Sequence, residues 1–333
     1  MNASVGNNVQ SRQMVACAVK KIAARRSTRA GPLCFRAAWG YGRGMDGPAP
    51  NLASTLRDAT DALTPVSATP RLDAELLMAH ALGIDRSAML LRMHDLAAPA
   101  GFAAYLARRV ADEPVAYITG MQAFWDLDLH VTPDVLIPRA DSETVIEVAI
   151  AGFAGRDAPA RILDLGTGSG ALLLAALSVF GDAEGVGIDA SAAALAVASG
   201  NASRLGLDGR AYFEQRDWTL DGWADGLGQF DLIMCNPPYI EDATPLSPMV
   251  ARHEPHSALF AGPDGLRDYR ILLKTLEKLL KTTGIAVFEI GFNQSKSVAN
   301  LGTEAGFTSE LTHDLSGNPR VLRFSLGIAQ PNR

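Results

Sequence analysis

Residues 161–170 read Arg-Ile-Leu-Asp-Leu-Gly-Thr-Gly-Ser-Gly, a short apolar run that gives way to three glycines at alternate positions. The run is the length of a strand, and Gly166, Gly168 and Gly170 permit a tight turn and a close backbone approach to a ligand. The apolar stretch 171–180 that follows falls short of the ~18 residues a membrane span needs, so it reads as a buried helix. The alternation then repeats. Strands are expected at 161–165, 184–189, 211–215, 230–235 and 285–290, and helices at 170–180, 191–205, 266–281 and 294–305. Two last strands, 308–314 and 320–326, have no helix between them and should pair antiparallel. This pattern predicts an α/β fold with a doubly wound, mostly parallel, Rossmann-like sheet.

The chain has 333 residues, enough for a second domain upstream. Pro70 opens and Gly83 closes a helix over 70–82, the expected placing of those two residues. Leu72, Leu76, Ala79 and His80 fall on one of its faces, and a further helix covers about 99–111. From 114 the period changes. Phe124–Val131 alternates apolar and polar residues and reads as a strand within a hairpin. The division is therefore a basic extension 1–50, a small helical N-terminal domain 51–113, a linking β-hairpin 114–140 and an α/β domain 141–333.

Charge separates the first of these from the rest. Residues 1–50 hold eight Lys/Arg and one acid, leaving 22 bases against 35 acids in 51–333, a formal charge of −13. A body that acidic is a poor generic binder of nucleic acid, because phosphate contacts need clustered Lys and Arg. An Arg-rich, acid-poor N-terminus also suits an organelle transit peptide. The reading preferred is an upstream extension ahead of Met45, with the protein cytoplasmic. Cys17, Cys34 and Cys235 match no zinc spacing and are too few for a disulfide framework.

The glycine turn Gly166-Thr-Gly-Ser-Gly170 could by itself serve a dinucleotide or a nucleoside. Its surroundings narrow the choice. Asp189 ends the next strand, where a carboxylate can accept both ribose hydroxyls. Asp217 and Trp218 follow the third strand, where an acid can meet an adenine edge and an indole can cover a ring. Asp164, just ahead of the glycines, would repel a pyrophosphate and attract an amino-acid ammonium. S-adenosylmethionine fits these four better than NAD, and Thr167 and Ser169 join the cofactor site as part of the loop.

Asn236-Pro-Pro-Tyr239 ends the fourth strand. Prolines cannot continue a central strand, so the tetrapeptide sits at the carboxyl edge of the sheet, where open α/β folds bind ligands. An amide or aromatic amine nitrogen is a poor nucleophile because its lone pair is delocalised. Asn236 can accept one N–H of such a group through its side-chain oxygen. The Pro237 carbonyl can accept the other, with Pro238 fixing its direction, and Tyr239 can pack on the planar face. These four residues are the candidate catalytic and substrate-binding set, and methyl transfer to a planar nitrogen is the chemistry they suit.

With these motifs, the chain resembles the release-factor glutamine methyltransferases (the PrmC/HemK type) over nearly all of 51–333. The likeness extends to Tyr117-Ile-Thr-Gly120, Val135-Leu-Ile-Pro-Arg-Ala-Asp-Ser-Glu143, His253-Glu-Pro-His-Ser-Ala-Leu259, Gly265-Leu-Arg-Asp-Tyr269 and Glu289-Ile-Gly291. It implies a class I methyltransferase sheet, a helical domain that grips the release factor, and a substrate glutamine on a Gly-Gly-Gln loop. It also implies cofactor contacts from Gly166–Gly170, Asp189, Trp218 and Asn236, and glutamine contacts from Asn236–Tyr239. No membrane or direct nucleic-acid partner, no metal and a monomer are expected. Two features depart from the family: Ala140 where proline is common, and the extension 1–50. A DNA adenine or rRNA guanine N-methyltransferase would share the tetrapeptide, and a non-catalytic cofactor-binding module would not need it. Arg139, Asp141 and Glu143 read either as a wall of the site or as a helix start. The long segment 240–264, with His253 and Glu254, reads as a cover over the site or a partner loop.

Overall fold

The computed structural model describes residues 52–327, which fall into two compact units. The basic extension 1–50, with Cys17 and Cys34, lies outside the described residues.

The smaller unit is helical. It contains α1 (Leu52–Leu63), α2 (Pro70–Leu82), α3 (Arg86–Leu91), α4 (Phe102–Val110), α5 (Val115–Thr119) and, from much later in the chain, α9 (Pro248–His253). Helix α2 starts at Pro70 and stops at Gly83, whose φ of +67° lets its amide cap the last turn on Ala79 and His80. The face it buries is not the one its periodicity suggests. Ala74, Leu77 and Met78 are fully buried with Leu56, Leu63 and Phe102, while Leu72 and Leu76 are 40% and 37% exposed. Apolar residues lie on several sides of α2, so spacing alone cannot choose between faces. Inside the unit, Arg109 donates to Asp73 at 2.8 Å. Ile118 of α5 packs in this same core, so the helical unit runs to Gly120 rather than ending at 113.

The larger unit opens with a hairpin of β1 (Met121–Phe124) and β2 (Leu127–His130). A continuous strand over Phe124–Val131 is not formed. The chain turns at Trp125 with φ +57°, held by a 2.8 Å bond from its amide to the Glu143 carboxylate. After a 3₁₀ turn at Ala140–Ser142 come α6 (Glu143–Gly152), β3 (Arg161–Leu165), α7 (Ala171–Val179), β4 (Glu184–Asp189), α8 (Ala192–Leu205), β5 (Ala211–Gln215) and β6 (Phe230–Cys235). Next are α10 (Arg267–Leu279), β7 (Leu280–Glu289), α11 (Ser295–Glu304), β8 (Phe307–His313) and β9 (Pro319–Leu326).

The sheet runs β5-β4-β3-β6-β7-β9-β8. Its first five strands are parallel, and β9 pairs antiparallel with both β7 and β8, as the missing helix between the last two predicts. One boundary differs. The expected helix to 281 stops at Leu279, because Leu280 already pairs with Phe230 before a register shift carries β7 to Ile285. Apolar residues of α6, α7 and α8 cover one face of the sheet, and those of α10 and α11 cover the other.

The topology sets the site. The chain leaves β3 toward β4 and β5, then returns to place β6 on the other side of β3. Leu165 pairs with both Cys235 and Ile188, so Gly166, Asn236 and Asp189 emerge from adjacent strand ends at one level. This reversal of strand order is the crevice where open α/β sheets bind ligands.

Candidate active site

The glycine turn is fixed by backbone bonds. Gly166 and Thr167 both donate to the Ile188 carbonyl at 2.9 Å, and Gly170 donates to Thr167 at 2.8 Å. Gly166, Gly168 and Gly170 have φ values of +74°, +54° and +83°, which side-chain-bearing residues adopt only under strain. A Cβ on Gly166 would also come within 3.0 Å of the Trp218 ring. Gly170 starts α7, where a Cβ would meet Leu174 and Ala198.

A cavity of about 350 Å³ opens beside this turn, lined by Gly166, Gly168, Asp189, Asp217, Trp218 and Asn236 among others. That volume suits a small-molecule ligand. A second, smaller hollow of about 60 Å³ adjoins it between Asp164, Thr167, Ser169, Arg139, Ser142 and Asn236. Pro238 lines the larger cavity, whereas Pro237 is buried and lines neither.

Asp189 does two jobs at the end of β4. Its carboxylate accepts the Gly168 and Ser191 amides, each at 2.9 Å, and so ties the glycine turn to β4. Burial raises its pKa despite those bonds. Asp217 is half-exposed and accepts from the Thr219 amide and hydroxyl, which lower its pKa. Trp218 donates through Nε1 to the buried Asp268 at 2.8 Å, so its ring stands as a wall over Gly166.

Asp164 is 1% exposed. One carboxyl oxygen accepts the Thr167 hydroxyl at 2.7 Å, while Oδ1 accepts no hydrogen bond of ordinary geometry. Burial pushes its pKa up to about 7, against the Thr167 hydroxyl and the Leu173 amide. A buried acceptor without a partner calls for a donor. The ammonium of an amino-acid ligand is such a donor, so this residue fits S-adenosylmethionine and would repel a pyrophosphate.

At the end of β6, Asn236 borders both hollows, and its Nδ2 lies 3.2 Å from Ser142 Oγ. The Tyr239 hydroxyl meets Glu289 Oε1 at 3.4 Å, and its ring lines neither hollow. The Tyr239 carbonyl accepts Gln294 Nε2 at 3.0 Å, and the same Nε2 also reaches Gly265. Four residues that support the site carried no readable signal of that role in the sequence. Ser142 caps no helix; it holds Asn236. Asn201 of α8 bonds both the His130 backbone and the Ser169 carbonyl, joining β2 to the glycine turn. Gln294 fixes the tetrapeptide's exit. Buried Glu254 pairs with Arg139 and receives the Ile137 amide, bracing the 137–139 segment as a wall of the site. Asp141 pairs with Arg320 at 3.3 Å, and Glu143 holds the hairpin turn.

A doubly wound sheet, a glycine turn with carboxylates at the ends of β3 and β4, and an Asn-Pro-Pro-Tyr edge at the switch point define an S-adenosylmethionine-dependent methyltransferase. Family matches and sequence relatives agree. Residues 54–120 match the PrmC N-terminal domain, and residues 157–308 match a methyltransferase domain. The chain is 44% identical to a release factor glutamine methyltransferase of Rhodospirillum rubrum, over 76% of this chain and 78% of that one. It is 42% identical to one of Caulobacter vibrioides, over 79% and 90%. Among solved structures it is similar to a methyltransferase from Pyrococcus furiosus at 18% identity, over 68% of this chain and 100% of that one, with a TM-score of 0.44. The chain belongs to the release factor glutamine methyltransferase family.

Proposed function

We propose that this protein methylates the side-chain amide nitrogen (N5) of the glutamine in the Gly-Gly-Gln loop of class I peptide chain release factors. The observation that carries the reading is the Asn236 carboxamide, set between the two hollows beside the glycine turn and held from behind by Ser142. When bound, S-adenosylmethionine supplies an electrophilic methyl on sulfonium sulfur and leaves as S-adenosylhomocysteine. Gly166 and Gly168, with Thr167 and Ser169 of the same turn, Asp189, Asp217 and Trp218 would hold its nucleoside, and Asp164 its ammonium, while Gly170 shapes the turn.

The tetrapeptide orients the glutamine. Asn236 Oδ1 accepts one amide N–H and the Pro237 carbonyl the other, while Pro238 lines the opening and Tyr239 stands behind it on Glu289. The amide lone pair is thereby directed along the line of attack, and rate comes chiefly from that alignment. The nitrogen that takes the methyl would give up one of its two protons, and the Asn236 Oδ1 and Pro237 carbonyl acceptors would hold that N–H as it passes to solvent.

The formal charge of −13 over residues 51–333 favours a protein substrate over nucleic acid. We read the enzyme as a cytoplasmic monomer acting where release factors act. Among the described residues, no helix is long and apolar enough to cross a membrane. Mass spectrometry of a purified release factor after incubation with enzyme and cofactor tests the reading. A gain of one methyl on the Gly-Gly-Gln glutamine supports it. Tritium transfer to DNA or ribosomal RNA, with none to the release factor, overturns it.

A further inference from the structure

Glu289 ends β7 beside the tetrapeptide, and the chemistry above gives it no part. It is 1% exposed. Its Oε1 receives the Tyr239 hydroxyl at 3.4 Å, and its Oε2 has no hydrogen bond of ordinary geometry. The Ser142 hydroxyl, itself 4% exposed, lies near enough to the carboxyl to oppose the effect of its burial. Ser142 Oγ is also the atom 3.2 Å from Asn236 Nδ2. One buried carboxyl thus stands behind both polar side chains of the tetrapeptide.

This arrangement answers a question Ser142 leaves open. A serine hydroxyl can donate or accept, so alone it holds either end of a carboxamide. A neighbour that only accepts biases the choice: Ser142, which already takes the Asn236 NH₂ on a lone pair, has its hydrogen free to turn toward the unpartnered Glu289 carboxyl oxygen. Asn236 Oδ1 is left to face the substrate, which needs an acceptor. We propose that Glu289, as a carboxylate, is a positioning residue that sets the direction of the hydrogen bonds through Ser142 and so orients the Asn236 amide for methyl transfer. The proposal rests on the function proposed above and deepens it.

The carboxyl titrates where this matters. Burial pushes its pKa up to about 7, with the Ser142 hydroxyl, the Arg320 charge and Tyr239 opposing and Asp141 reinforcing. Cys235, Asp268 and Tyr269 also face this pocket of charge, and the Tyr269 hydroxyl donates to the Glu289 backbone carbonyl at 2.8 Å. Once protonated, Glu289 can itself donate to Ser142, and the direction of the chain is lost. Turnover therefore falls as pH drops through about 7.

The test is single-turnover methylation of a release factor by the full chain, at saturating cofactor, across about pH 5.5–9, for the wild type, Glu289→Gln, Ser142→Ala and the double variant. The wild-type rate should rise through a step near neutrality. Glu289→Gln should lose roughly 10–100-fold in rate at high pH and lose the step, with cofactor affinity held within about threefold. Ser142→Ala should show a similar loss, and adding Glu289→Gln to it should cost little more, because both variants break one chain. A Glu289→Gln enzyme with the wild-type rate or an intact step overturns the inference, as does an additive double variant. Should Glu289→Gln not fold, a flat wild-type profile or a fully active Ser142→Ala overturns it equally. Release factor left unmethylated by the wild type would instead sink the function itself.

Discussion

Asp164→Asn separates the resting enzyme from its loaded state. In the folded chain the Asp164 carboxyl is 1% exposed and keeps its proton up to about pH 7, whereas an unfolded aspartate loses it near 3.8. A raised folded pKa contributes stability that is complete below the unfolded value and is lost as pH rises through the folded one. Between about pH 5 and 7 the unfolded chain is already ionised while the folded one still binds its proton. Each unit in that window costs about 1.4 kcal/mol, about 3 kcal/mol in all. Asparagine has nothing to titrate, so the melting temperature of the variant minus that of the wild type should increase by roughly 6–12 °C from pH 5 to 8. Glu289 titrates in the same window but is common to both proteins and cancels. Cofactor binding should move the opposite way. Asparagine brings no charge to meet an ammonium, and the loss of a charged hydrogen bond is about 1.5–3 kcal/mol, roughly 10–150-fold in Kd. Scanning calorimetry without ligand and titration calorimetry with S-adenosylmethionine at pH 8 measure both arms. Parallel melting curves would show that Asp164 is not held protonated, and unchanged affinity would show that its Oδ1 does not meet the ammonium.

Asn236→Ala should fold, bind cofactor as before and lose roughly 10²–10³ in single-turnover rate, and full activity would end its claim to the substrate amide. Asn236→Asp should be as inactive as Ala, because it removes the NH₂ that Ser142 holds and sets a second carboxylate near Glu289. Asp189→Ala removes the acceptor for the Gly168 and Ser191 amides as well as for the ribose, so cofactor affinity should fall by at least about 1.5–3 kcal/mol by titration calorimetry. Trp218→Leu loses the bond to Asp268 and the wall over Gly166; Kd for the cofactor should rise by about 1–2 kcal/mol with turnover at saturation little changed, and an unaltered Kd would take the indole out of the site.

Local patterns in the chain read out most of the framework. The strand bounds 161–165, 184–189, 211–215 and 230–235 follow from short apolar runs closed by glycine, aspartate or proline, signals that lie within a few residues of what they define. Pro70 and Gly83 bound their helix for the same reason. Where a local signal is absent or ambiguous, tertiary contacts decide. Helix α2 turned its other face inward, Trp125 broke an expected strand by bonding Glu143, and β7 began five residues early because Leu280 found Phe230.

What the sequence determined by itself is the chemistry available: a glycine turn that only glycines can make, carboxylates at successive strand ends, and a proline-locked asparagine that cannot lie within a strand. The tertiary structure alone decided which groups stand behind them. Ser142, Asn201, Glu254 and Gln294 lie 94, 32, 115 and 55 residues from the partners they hold. No local pattern encodes such a pairing, because it exists only once the chain has folded and brought distant segments together. The same closure strips water from Asp164 and Glu289 and moves both carboxyls to about neutrality, a property of burial that composition and spacing do not carry.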